Sequence, residues 1–175
     1  DRRMNNIAVL NQAAGGNCVT MDCLGPALQD RFERDALDPI GVKWVVIFEG
    51  INDLGNNGGL QASTLTNAYS AMADKAHAAG LKVIGATIMP CNGTSTYNCA
   101  SFDSTRKQIN DWIRTTNKFD GVIDFDEITR DTNDQTRLSP TVNGAGTCSV
   151  GGDWLHPCPG GYAIMGNAVD LTLFQ

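Results

Sequence analysis

The sequence predicts an α/β domain, with a parallel β-sheet covered by helices on both faces. Two observations carry this. Residues 42–48 and 81–89 are apolar, β-branched runs of strand length, the pattern of strands buried on both sides. Around them, apolar residues recur at helical spacing, so helices and strands alternate, as parallel sheets with right-handed crossovers require.

The elements follow in order. Residues 7–10 are a short apolar run ending at Asn11 and the Gly15-Gly16 turn, which predicts a first strand. Leu24, Leu28 and Phe32 after Gly25-Pro26 mark a helix to about Leu37. The strand at 42–48 stops at Glu49-Gly50. Leu65, Tyr69, Met72 and Ala76 mark a helix closed by Gly80, and the strand at 81–89 ends before Pro90. Phe102, Ile109, Trp112 and Ile113 mark a further helix, and Val122-Ile123 a short strand. Residues 126–152 are turn-rich, and 162–174 read as a closing helix. Without repeats or low-complexity linkers, residues 1–175 form one domain.

The net charge of −6 argues against nucleic acid or an anionic membrane surface as partner. The longest strongly apolar run, residues 44–48, is far short of the roughly 20 residues of a spanning helix. Six cysteines lack the short spacings usual at zinc. Local pairs Cys18–Cys23, Cys91–Cys99 and Cys148–Cys158 are the simplest arrangement, since each falls within one expected loop. With the Asn92-Gly93-Thr94 sequon, an acceptor for an N-glycan at Asn92, they point to an oxidising, secreted, extracellular setting.

Three short motifs carry chemistry. Asp153-Trp154-Leu155-His156 places a carboxylate three residues before one of only two histidines. That pairing suits a carboxylate orienting an imidazole general base, although a lone histidine is also a common structural residue. Gly50-Ile51-Asn52-Asp53 ends the most apolar strand; the Asn52 amide there either donates to a developing oxyanion or caps a turn. Gly16, in the loop after the first apolar run, lets backbone approach a ligand or simply makes a tight turn. The other histidine, His77, lies mid-helix on an expected surface face. There is no GxSxG, Walker A or GxGxxG motif, and two histidines leave little for a catalytic metal, so no cofactor is expected.

Taken together and in this order, the motifs resemble three of the four blocks of the SGNH, or GDSL-type, serine hydrolases. The resemblance spans nearly the whole chain, including residues 81–87 and the stretch from Arg106 through Ile113. It implies a flavodoxin-like three-layer α/β/α sandwich. Gly16 N–H and the Asn52 side chain would serve the oxyanion hole, and Asp153 and His156 would complete a catalytic triad. The family's Gly-Asp-Ser block, which carries the nucleophile at the end of the first strand, is absent from this sequence. Ser63, Ser70, Ser95, Ser101, Ser104, Ser139 and Ser149 all lack that context.

The expectation is that the serine lies upstream, on a central strand of the order 2-1-3-4-5. Without that strand, the flanking strands at 7–10 and 42–48 would leave buried backbone groups unpaired at about 1–3 kcal/mol each. A domain with a net stability of roughly 5–15 kcal/mol cannot carry many of those. A direct pairing of 7–10 with 42–48 would contradict it. The resemblance implies a secreted ester hydrolase, similar in kind to carbohydrate esterases acting on acetylated poly- or oligosaccharides. It would be a monomer, or a chain with a separate N-terminal piece. Lipase or aryl esterase activity, or a serine-less carbohydrate-binding or structural module, are the alternatives.

Overall fold

The structure, a computed structural model, describes residues 6–144 and 152–175. Three parallel strands form the sheet in the order β1-β2-β3: β1 is Trp44–Ile47, β2 is Lys82–Ala86 and β3 is Gly121–Ile123. Trp44 stands opposite Lys82, and Ile84 opposite Gly121. Among the described residues seven helices join them: α1 (Leu28–Phe32, continued by a π-helical turn, Glu33–Leu37), α2 (Ile51–Asn56), α3 (Ala62–Ala78), α4 (Asp103–Thr115), α5 (Phe125–Thr129), α6 (Pro140–Asn143) and α7 (Pro159–Ala168).

The alternation of side chains along the strands divides the core between two faces. Val45, Ile47 and Val83 pack with Phe32, Leu65, Tyr69, Met72, Ile109 and Ile113, so α1, α3 and α4 cover one face. Ile84, Ala86 and Ile123 pack with Phe125 and Met165 on the other, under α7 and the closing 3-10 turn Leu171–Phe174. Helices thus cover both faces of a parallel sheet, as the alternation implied. The closing helix expected over 162–174 is instead α7 followed, after a break, by that turn. No helix among the described residues is long and apolar enough to cross a membrane.

Two expectations are corrected. Residues 7–10 form no strand; Val9 and Leu10 are 88% and 62% exposed. A four-residue run holds strand geometry only against a paired neighbour, and among the described residues β1, the edge strand, pairs with β2 alone. Residues 42–48 are also not buried on both faces: Val46 is 44% exposed and Phe48 39%. The apolar run records a strand suited to cover on both sides, while the described helices cover β1 on one. The run at 7–10 does not close onto β1.

A buried ionic cluster fixes the loop that follows β2. Arg106, 1% exposed, donates to the Ile88 carbonyl at 2.9 Å, to Asp126 Oδ1 at 2.6 Å and to Asp103 Oδ1 at 2.9 Å. Asn110 accepts from Ile88 N–H and donates to Ile88 O, grasping one residue's backbone from both sides. Arg114 donates to Asp124 and Asp126 from the same helix, α4. Removing one partner of a buried ion cluster costs about 3–5 kcal/mol. Here Asp126 would keep Arg114 and Asp103 would keep Lys107, so the loss comes from the removed Arg106 bonds to Ile88 O and to both carboxylates. Arg106→Met should therefore lower the melting temperature by roughly 6–20 °C. Thermal unfolding followed by circular dichroism checks this; an unchanged midpoint would show that the cluster does not hold the loop.

Candidate active site

The three sequence motifs lie in the loop before α1, at the carboxyl end of β1, and in the turn between α6 and α7. After β1, Gly50 turns the chain into α2 and sets Asn52 and Asp53 in its first turn. The Asp53 carboxylate, fully buried, accepts from Val19 N–H (2.8 Å), Thr20 N–H (3.0 Å) and Thr20 Oγ1 (2.8 Å). Next to it, Asn52 Nδ2 donates to the Asn17 carbonyl at 2.7 Å, so the amide lies against the residue that follows Gly16. The structure thus brings Gly16 and Asn52 into one locale.

That locale is rigid for reasons legible residue by residue. Gly16 has φ +71°, a left-handed conformation that favours glycine, and a Cβ there would displace the Leu24 side chain that lies against it. Asn17, fully buried, donates to Pro26 O at 2.7 Å and accepts from Arg31 Nε at 2.9 Å. The Cys18–Cys23 disulfide closes the same loop. Beside Gly16 opens a groove of about 530 Å³, lined by Cys23, Leu24, Asn56, Thr96 and Tyr97. Thr96 and Tyr97 belong to the loop closed by the Cys91–Cys99 disulfide.

The second half of the site is the turn at 152–156. Asp153 Oδ1 accepts from Leu155 N–H (2.9 Å) and His156 N–H (2.7 Å), which folds the loop back on its own carboxylate. The other oxygen, Oδ2, lies 2.7 Å from His156 Nδ1. Burial alone would push the Asp153 carboxyl up; the two backbone N–H groups and the imidazole overcome it and hold the group down at about 2. An ionised carboxylate only accepts, so Nδ1 carries a proton, and it is in the neutral imidazole that Nε2 presents a lone pair. His156 is 69% exposed, which leaves Nε2 open to a reacting group.

The turn is built under strain. Trp154 has φ +60°, a left-handed conformation unfavourable to a large side chain. Three contacts hold it: Trp154 N–H donates to Asn143 Oδ1 at 2.8 Å, the Arg137 guanidinium lies 5.3 Å above its ring, and the ring rests against Gly93. A Cβ at Gly152 would fall 1.6 Å from Asn143 O, so only glycine fits there. Gly93 belongs to the same Cys91–Cys99 loop as Tyr97, whose hydroxyl donates to Asn52 Oδ1 at 3.0 Å. That loop touches both halves of the site.

Other expectations find their places. Cys18–Cys23 and Cys91–Cys99 are disulfides as paired from the sequence; the Cys148–Cys158 pairing and Ser149 lie outside the described residues because Cys148 and Ser149 do. Asn92 Nδ2 donates to Thr136 Oγ1 at 3.1 Å, so the sequon side chain is engaged. His77 sits on α3 as a surface residue with Asp120 2.8 Å away. Among the described residues the His156 ring is hydrogen-bonded to Asp153 alone. Tyr97, Asn143 and Arg137 support the site without having been singled out from sequence, each being an ordinary loop or helix-end polar residue there; Asn17, directly after Gly16, and Asp53 belong to motifs read from the sequence.

The described residues define a class: a parallel α/β domain with an anchored asparagine amide just after β1 and an aspartate–histidine pair in the turn that leads into α7. The chain belongs to the GDSL-like lipase/acylhydrolase family, whose model matches residues 1–164. No curated protein sequence matches it. It is similar in fold to a GDSL-like lipase from Bacteroides thetaiotaomicron, with a TM-score of 0.64 at 21% identity over 83% of this chain and 68% of that one. It is equally similar to a protein assigned as an acylhydrolase from Bacteroides fragilis, with a TM-score of 0.64 at 21% identity over 83% and 67% of the two chains. A lipolytic protein of the G-D-S-L family from Desulfitobacterium hafniense gives a TM-score of 0.60 at 22% identity, over 81% and 70%.

The depressed Asp153 carboxyl makes the loop's pH range testable. A carboxyl lowered in the folded state contributes stability that is present above its unfolded value near ~3.9 and is lost as pH falls through about 2. The contribution of Asp153 to the turn should therefore be fully present above about pH 4 and fade below it. Carboxyl ¹³C NMR should show Asp153 titrating near 2, and His156→Ala should move the midpoint toward ~3.9. A wild-type midpoint near ~3.9 would contradict the described hydrogen bonding.

Proposed function

We propose that this domain hydrolyses acyl esters by two-step acyl transfer. The observation that carries the reading is the Asp153–His156 pair, whose ionised carboxylate fixes the tautomer that leaves Nε2 as the proton acceptor. In the first step a serine hydroxyl attacks the ester carbonyl while His156 Nε2 takes its proton. Collapse of the tetrahedral intermediate expels the alcohol, which receives that proton. Water then repeats the sequence on the acyl-serine. Gly16 N–H and the second N–H of the Asn52 amide are assigned to the oxyanion, the first being committed to Asn17 O.

The serine is assigned to a strand laid against the open edge of β1, ending at the same rim. What supports this is the edge itself: β1 pairs on one side, Val46 and Phe48 are exposed beside it, and Val9 and Leu10 stand in solvent with no strand to join among the described residues. We assign the protein to the extracellular space on the two disulfides among the described residues. The substrate class we favour is an acetylated poly- or oligosaccharide. The groove beside Gly16 accommodates a sugar unit and is walled by short loops, with no long apolar lid among the described residues. Asn92, near the Trp154 turn, is retained as a proposed glycan acceptor.

One observation favours a second reading, a non-catalytic carbohydrate-binding module: no serine among the described residues is hydrogen-bonded to His156. Reaction of the natural protein with a fluorophosphonate, followed by peptide mapping, separates the two. The enzyme reading expects stoichiometric labelling of one serine outside the seven named above; no labelling would leave the binding module. In the active protein, Asn52→Ala should lower kcat about 10²–10³-fold with little change in KM. Asp153→Asn should lower kcat about 10⁴-fold, because the amide no longer enforces the tautomer. Steady-state hydrolysis of an aryl acetate measures both.

A further inference from the structure

We propose that Tyr97 is a positioning residue: its hydroxyl fixes the orientation of the Asn52 amide, and its ring forms the wall of the groove beside Gly16. The proposal rests on the reading of Asn52 as an oxyanion donor. The terminal torsion of an asparagine is broad and close to two-fold, so an amide meant to donate to a transient charge has to be held at both ends. Here Nδ2 donates to Asn17 O at 2.7 Å, and Oδ1 accepts from the Tyr97 hydroxyl at 3.0 Å. A flipped amide would set Oδ1 against the Asn17 carbonyl, two acceptors facing each other. Together the anchors leave one orientation, with the second Nδ2–H unclaimed among the described residues.

The placement of Tyr97 is itself enforced. Its ring lies over the backbone of Gly55 in α2, where a Cβ would come within about 2.6 Å of three ring atoms. Ring and α2 therefore meet face to face, and the hydroxyl reaches back to Asn52, three residues earlier on the same helix. The Cys91–Cys99 disulfide closes the loop that delivers the ring. The same side chain lines the groove with Gly16, Leu24, Cys23 and Thr96. One residue thus couples the shape of the groove to the direction of the donor.

The two roles separate by substitution. In the natural, active protein, Tyr97→Phe keeps the ring and removes the hydroxyl; kcat should fall about 3- to 10-fold with KM within about twofold. Tyr97→Ala removes the wall as well and should also raise KM. In the same natural protein, hydrogen exchange at the Asn52 side-chain amide, assigned by its absence in Asn52→Ala, should accelerate in Tyr97→Phe. In the double variant, Tyr97→Phe should cost nothing beyond Asn52→Ala. If Asn52→Ala is impaired while Tyr97→Phe matches the wild type in both kcat and amide exchange, the positioning role is overturned and the oxyanion reading stands. If Asn52→Ala retains full turnover, the oxyanion reading falls, and the exchange measurement alone decides whether Tyr97 holds the amide.

Discussion

The buried carboxylate of Asp53 is the interaction on which the strand-end geometry depends. It gathers two backbone N–H groups and one hydroxyl from Val19 and Thr20, of which the Val19 N–H is buried and would otherwise lack a partner. Charge-assisted hydrogen bonds of this kind are roughly twice as strong as neutral ones. Their effect is to lash the loop at 16–20 to the first turn of α2. Asn52, the preceding residue, then meets Asn17 O without further adjustment. The disulfide at Cys18–Cys23 and the glycine at 16 refine a position that Asp53 has already set.

The two halves of the site are held by different physics. Around Gly16 and Asn52 the anchors are buried: Asn17, Asp53 and Arg31 are all sequestered from solvent. Around His156 the anchoring is local and exposed, an aspartate folding its own turn. The strained Trp154 backbone costs about 1–3 kcal/mol, and the Asn143, Arg137 and Gly93 contacts supply what offsets it. The loop closed by Cys91–Cys99 lies between, with Gly93 on Trp154 and Tyr97 on Asn52. Arg106 and Asn110 fix the root of that loop at Ile88.

What was legible in the sequence follows from locality. Apolar runs at 44–47 and 82–86 became strands because parallel strands announce themselves by composition. Asp153 and His156 were legible as a pair because three residues of turn suffice to join them. Residues 7–10 read as a strand and are none, since strand formation depends on a neighbour that composition cannot report. The exposure of Val46 was hidden for the same reason. Tyr97 was illegible as a partner of Asn52 because the contact spans 45 residues, and nothing in its local spacing marks the ring that Gly55 receives. Arg106, quoted in the sequence only as part of a resemblance, proves to be among the most deeply buried side chains described.

The contrast between a buried donor cluster and an exposed imidazole suits the chemistry proposed for them. A hydrogen bond to a developing oxyanion is worth most when the donor neither moves nor reorients as the charge appears. Fixed anchors at both ends of the Asn52 amide meet that condition, and a flexible surface asparagine would not. The imidazole answers to the opposite demand. It must reach a hydroxyl, carry a proton and deliver it to a leaving group, so Nε2 has to stay accessible. Its tautomer, however, has to be fixed, and a carboxylate held ionised down to about pH 2 fixes it across the physiological range. On the proposed chemistry, rigidity lies where charge would be stabilised, and access where the proton would travel. The Cys91–Cys99 loop, touching both, is the element through which a change in one half would reach the other.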